Sequence, residues 1–528
     1  MSLFIFLLSG LSASSFFLDD YLTNLIAKNK HSQAQLSFAI EHENLMALNH
    51  ALNSSEFHSE QWLSLAKVLA KTQGEAAYQL ALYYKASPQK MIFWFKSASR
   101  LGFHQATLAL AQHFFDQNDF VSAEKILLSF SANNLSINTK LHTRLQTKLL
   151  ILKLNLAISQ GQVGYIENSL LHDTQLLKET VEGQVLLNDI EKYQIGKLTN
   201  KALDTSKMIQ QCENSIQLFA TSLSHLKKLE GIIADFNTQP LSRAVCFASV
   251  RYMPVHALDC TKRQQAAIRC DESLWAPYAN SIQTRYVGVM LPQGGANVHF
   301  GMLYFDSQDT VDVVAHEISH LLGFVDEYPL QAEHNTCQVT QTKSFSQNIA
   351  VLENTYYGDR RTIRSKILKQ LAWGKYIKDN TPILQSVTAS NGKRNWQLGT
   401  PEEFNNEVGV FNAQTCKKTN AKMREDFSAY KGLAQRTQLQ YFSLSFPPLY
   451  SLLLKENTTH YRMPSFHYNI ALAYFQQSAI GNNVSEDVAL QRIAQHKKNI
   501  KLANYWLEQS ARWESERDRY NKVRQGGF

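Results

Sequence analysis

The sequence predicts an α+β protein in which a mixed core of strands and helices lies between long, mostly helical flanks. Three observations carry that expectation. Gly and Pro are scarce, 22 and 11 in 528 residues, while Leu, Ala, Gln and Lys recur throughout, a composition that favours helix over most of the length. Strand-like runs are concentrated between about 240 and 445. One of them leads directly into a short helix dense in histidine and carboxylate. At 44% apolar and 19% charged, the chain is composed to fold, and its length suggests about two to four domains.

From the N-terminus, Leu3–Leu8 is an apolar run followed by small residues, in the manner of a secretory signal cut after Ala13, so residues 1–13 are expected to direct export. The usual basic residues before the run are missing, and a hydrophobic N-terminal helix is the alternative. Residues 14–235 form successive amphipathic helices. Leu80-Ala81 with Tyr84 returns 30 residues later as Leu110-Ala111 with Phe114, and Trp94–Gly102 lies between them. Small residues facing large aromatics allow helices to pack closely, as stacked helical hairpins require. Related stretches, Ile470–Phe475 and Tyr505–Ala511, occur in the C-terminal region, 446–528. No later segment is apolar for the roughly 18 residues of a membrane span. The net charge of +8 is scattered, with no basic block that would imply nucleic acid.

The central region, 240–445, changes character. Val245–Tyr252, Tyr286–Met290 and Val298–Phe305 read as strands, the last two separated by the turn signal Pro292–Gly295. Val298–Phe305 is a candidate edge strand for pairing with an extended peptide, an internal strand being the alternative. Six cysteines stand at 212, 246, 260, 270, 337 and 416, none in a Cys-x-x-Cys pair. An even number in one region fits disulfides in an oxidising compartment, periplasmic or extracellular. Pairing is open, although Cys337 with Cys416 would clip the segment that follows the histidine helix.

That helix is predicted to begin near Ser307 or Asp309, either able to cap it. Val311, Val314, Ile318, Leu321 and Leu322 form its buried face. His316 and His320, four apart, project together and can bind one Zn²⁺. Glu317 is placed to take a proton from water and pass it to a leaving amine. Gly323 can end the helix in a left-handed turn, so that the chain folds back and offers Asp326 as a third ligand. Glu327, His334 and Glu353 are the rival third ligands. Tyr328 could donate a hydrogen bond to a tetrahedral intermediate or simply pack.

The string His316-Glu317-x-x-His320-x-x-Gly323-x-x-Asp326 resembles the metzincin zinc-peptidase signature with Asp in place of the usual third His. Its extension through Glu327-Tyr328 resembles the bacterial IgA-specific metalloendopeptidase family. Trp373, Thr381–Ile383, Val408–Phe411 and Cys416–Phe427 extend the likeness loosely over about 240–445. It implies a metzincin-like catalytic domain, a zinc cofactor, and Met423 as the methionine of the turn beneath the metal. The helical flanks resemble degenerate Sel-type tetratricopeptide-like repeats, which implies protein partners. The resulting expectation is a zinc endopeptidase acting on a protein or peptide substrate. Two alternatives stand beside it: a repeat-based binding scaffold with an idle or structural zinc site, and a zinc amidase.

Overall fold

The computed structural model describes residues 17–129, 139–196, 212–260, 267–268, 270–330, 346–388, 394–417, 426–456, 461–478 and 486–524. The signal segment 1–13, His334, Cys337 and Met423 lie outside them. Helices dominate and the strands form mixed and antiparallel sheets, so the chain is α+β. It divides into two compact units, Met1–Ala157 with Tyr165–Asn188, and Ile158–Gly164 with Asp189–Phe528.

The first unit is a run of short helices, each packed on its neighbour in sequence from Gln33–Glu41 to Phe120–Leu128. The contacts are made by small and large residues in alternation. Ala66, Ala77, Ala81, Ala98 and Ala111 are fully buried, and Trp62, Phe95 and Leu80 fill the space they leave. Ser59 caps its helix by accepting from the Trp62 amide at 3.1 Å.

The second unit is built on a six-stranded sheet. β1 (Ser215–Ala220), β4 (Tyr286–Leu291) and β6 (Met302–Asp306) run parallel through its centre. All three are buried on both faces, as parallel strands covered by helices must be. β2 (Cys246–Phe247) and β3 (Arg251–Tyr252) pair with successive halves of β1. The sheet therefore begins at 215, within the stretch expected to be helical to 235. The run 245–252 is two short strands, not one. Val298–Phe305 is likewise divided. Phe300 and Gly301 both have positive φ, 38° and 83°, and turn the chain between β5 (Asn297–His299) and β6. β5 is the antiparallel edge strand and β6 is internal.

The C-terminal helices belong to this unit's core. Phe466, Ile470, Ala471 and Trp506 share one cluster with Phe219, Trp275, Met302 and Tyr304. Buried Arg285, next to β4, reaches Glu514 at 2.7 Å and the Met463 carbonyl at 2.8 Å. Against this cluster His467 stacks on Trp506 with ring centroids 5.8 Å apart, and burial pushes its pKa down to about 4. The neutral ring is thus the folded form, whereas the unfolded chain takes up its proton near pH 6.5. This contribution to stability is complete above pH 6.5 and is lost as pH falls toward 4, by about 3 kcal/mol. Urea midpoints at pH 7 and pH 4 should therefore differ less in His467→Phe than in the wild type.

Candidate metal centre

The site helix, Val311–Leu321, follows β6 after a four-residue turn. Its N-cap is Thr310, not Ser307 or Asp309, and it makes no side-chain cap. The Asp309 carboxylate instead accepts from the Asp306 amide and tightens the turn. Val314, Ile318, Leu321 and Leu322 are fully buried. The helix Leu223–Phe236 packs across it.

The helix ends at Gly323, whose φ is +90°. A side chain there would be strained, and a Cβ would also lie 2.4 Å from the Tyr461 carbonyl oxygen. The turn lets the chain double back, and three hydrogen-bonded anchors hold the return. Asn348 brackets Val325, accepting from its amide at 2.9 Å and donating to its carbonyl at 2.8 Å. Thr415 donates to the Asp326 carbonyl at 2.8 Å. The Glu327 amide donates to the Leu439 carbonyl at 3.0 Å.

His316, His320 and Asp326 meet at the end of this path. The two imidazole Nε2 atoms are 3.2 Å apart, and each lies 3.1–3.2 Å from Asp326 Oδ1. Three donors bound to tetrahedral zinc at 2.0–2.1 Å stand about 3.3 Å from one another, so the triangle is the right size. The ring nitrogens facing away settle the chemistry. His316 Nδ1 is 2.9 Å from the Gln438 carbonyl and His320 Nδ1 is 3.0 Å from the Phe324 carbonyl. Carbonyls only accept, so both Nδ1 atoms carry the proton and both Nε2 atoms turn lone pairs inward. Against neutral imidazoles the buried Asp326 Oδ1 has no hydrogen-bond donor. With both imidazoles neutral, three acceptors converge without a donor and make a hole for a cation, which a proton on His320 Nε2 fills when no metal does.

The protonation equilibria tell the same story. Burial pushes the Asp326 carboxyl up, but the His320 and His316 imidazoles outweigh it and hold the group well below the usual carboxylate range. Burial lowers His320, and the Asp326 carboxylate more than offsets this, raising it to about 9. The site draws positive charge. Glu317 stands beside it, raised above an ordinary glutamate by burial and only partly restrained by His320 and His316. The Tyr328 ring lies nearly parallel to His316, 13° between planes at 6.4 Å, and is 40% exposed at the mouth of the site. Burial, and then Asp326 and Glu317, push its hydroxyl pKa up.

Glu327, a rival for the third ligand position, is directed elsewhere. Its carboxylate is fully buried, 2.8 Å from Lys431 Nζ, and accepts from Asn348 at 3.2 Å and from the Tyr450 hydroxyl. Glu353 ends β7 (Ala350–Glu353) with its side chain exposed and is no part of the group. Sequence reasoning missed Gln438, Thr415, Lys431 and Asn348, whose roles depend on chain segments that only the fold brings near. Disulfides join Cys212 to Cys246 and Cys260 to Cys270, and Cys416 is also disulfide-bonded. Comparison with protein-family models, with curated proteins and with solved structures finds no match for this chain.

Proposed function

We propose that this chain is a zinc-dependent endopeptidase in which His316, His320 and Asp326 hold the metal and Glu317 is the general base. The observation that carries the reading is the triangle of inward-facing acceptors, with a buried carboxylate oxygen at one corner and the half-buried Glu317 next to it. Zinc bound there would supply Lewis acidity, polarising a peptide carbonyl and making water acidic near neutral pH. Glu317, adjacent to the first ligand but outside the triangle, takes the proton from water and delivers it to the departing amine. Gln438 and the Phe324 carbonyl fix the two imidazole tautomers, and Thr415 and Asn348 hold Asp326 in reach. Three protein ligands leave a fourth position open, which suits catalysis better than a closed structural site.

An extended substrate fits beside the site helix, where the edge strand β5 packs against it. The Asn469 side-chain amide already donates to the His299 carbonyl at 2.8 Å, so pairing would be confined to the part of the strand before that carbonyl. The disulfides fit an oxidising, exported setting.

The test joins metal analysis to cleavage of a peptide library. One zinc per chain is expected in the purified protein, and substoichiometric zinc in His316→Ala, His320→Ala and Asp326→Ala, because two remaining ligands make a poor cage. Full zinc in all three variants, or no metal-dependent cleavage of any peptide by the wild type, would overturn the proposal.

A further inference from the structure

Away from the metal centre, the second unit contains a cavity of about 320 Å³, the lower end of the range for small-molecule sites. None of the metal-centre residues lines it. Its walls are apolar: the Cys212–Cys246 disulfide, Pro240, Ala244 and Leu454. Its polar lining is strongly biased in sign, with three cations, Arg243, Lys455 and Arg462, against the single carboxylate of Glu213.

Arg462 is the unusual member. Its side chain is only 3% exposed. Its hydrogen bonds run through Nη1, to Asn214 Oδ1 at 2.9 Å and to Glu213 at a long 3.3 Å, while the buried Nε has no partner. Burial, and then the neighbouring Arg285, disfavour its charge. A guanidinium so deeply desolvated ordinarily sits in a two-pronged pair with a carboxylate. Here the pairing is incomplete, with Nε unmatched in a residue that lines the cavity. Arg243 and Lys455 are exposed, and neither pairs with a carboxylate among the described residues. Taken together, the lining has two positive charges in excess, beside a buried guanidinium whose only carboxylate contact is the long one to Glu213.

We propose that this cavity is a binding site for a small organic carboxylate, with Arg462 receiving the carboxylate at its floor and Arg243 and Lys455 closing on it from the rim. The apolar walls select the class. An inorganic oxyanion would leave Leu454, Ala244 and the disulfide facing empty space or water, whereas a carboxylate on a short apolar body, such as the C-terminal residue of a peptide, fills both halves of the cavity. The proposal does not depend on the metal reading, since the two sites share no residue.

Calorimetric titration of the full chain at fixed ionic strength tests it, with N-acetyl-leucine, its uncharged amide and inorganic phosphate as probes. N-acetyl-leucine should bind, and the amide and phosphate should bind at least tenfold more weakly. Arg462→Gln should weaken the carboxylate at least tenfold. Because a buried substitution can disturb folding, the surface variant Arg243→Ala with Lys455→Ala is paired with it and should show a similar loss at an unchanged melting temperature. No binding of N-acetyl-leucine at millimolar concentration, equal binding of amide or phosphate, or full binding by the surface variant would each overturn the proposal.

Discussion

Glu317→Ala should keep one zinc per chain and lose peptide cleavage by roughly 10²–10⁴-fold, the usual contribution of a positioned proton-transfer group. The separation of metal from activity follows from geometry. The triangle of His316, His320 and Asp326 closes without Glu317, and no hydrogen bond of the triangle passes through it. Removing a carboxylate from beside the ligands also relieves the cost of burying it, which is what raises its pKa, so the fold should not suffer. Glu317→Gln, which keeps the shape and removes the basicity, should behave like Glu317→Ala. Zinc content by atomic emission and initial rates on a cleaved library peptide decide the matter. Equal rates in wild type and both variants would remove Glu317 from the chemistry.

The second large effect concerns Glu327. Its ion pair with Lys431 is almost entirely shielded from water, with side-chain exposures of 0% and 6%. Glu327→Ala strands a buried ammonium and takes an acceptor from Asn348 and from Tyr450, so it should cost about 3–5 kcal/mol. A stability loss below about 1 kcal/mol, obtained from urea unfolding curves, would show the pair to be dispensable. Glu327→Leu combined with Lys431→Met removes both charges and should recover most of the loss, since a buried pair replaced by apolar groups is often neutral. Glu327→Gln retains a hydrogen-bonding oxygen and should hold zinc wherever it remains folded. A folded Glu327→Gln that binds no zinc would instead make Glu327 a ligand.

These two glutamates show how far the sequence can be read. The meeting of His316, His320 and Asp326 is legible because their geometry is local: one helical turn, a glycine that only a left-handed bend explains, and a carboxylate three residues on. Asp326 and Glu327 are adjacent carboxylates with the same chemistry, and nothing nearby distinguishes them. What separates them is Thr415 on one and Lys431 on the other, 89 and 104 residues away. The carbonyl that orients His316 is 122 residues away at Gln438. The strand period was equally local and equally partial. It found the run 298–305 but not the reversal at Phe300–Gly301, because Val298 and Phe300 continue the apolar pattern across a turn that only the backbone reveals. Helix was easy to see, whereas the inclusion of Ser215–Ala220 in the sheet was hidden by the helical stretches around it.

The arrangement of the core also sets an order of events during synthesis. Arg285 waits for a partner 229 residues downstream, and the strands around it share their apolar cluster with Phe466 and Trp506. The end of the site helix is likewise covered by the segment Tyr461–Met463, which donates to the Leu321 carbonyl and closes over Gly323. A ribosome adding about 5–20 residues per second therefore exposes the histidine helix for several seconds before the segments that seat it exist. Contacts so distant in sequence also form slowly once the chain is complete. Ribosome-stalled chains ending near residue 445 should accordingly be degraded readily by added protease and carry little zinc. On the proposed function, no working hydrolase would exist in the cell until the last helices have been made.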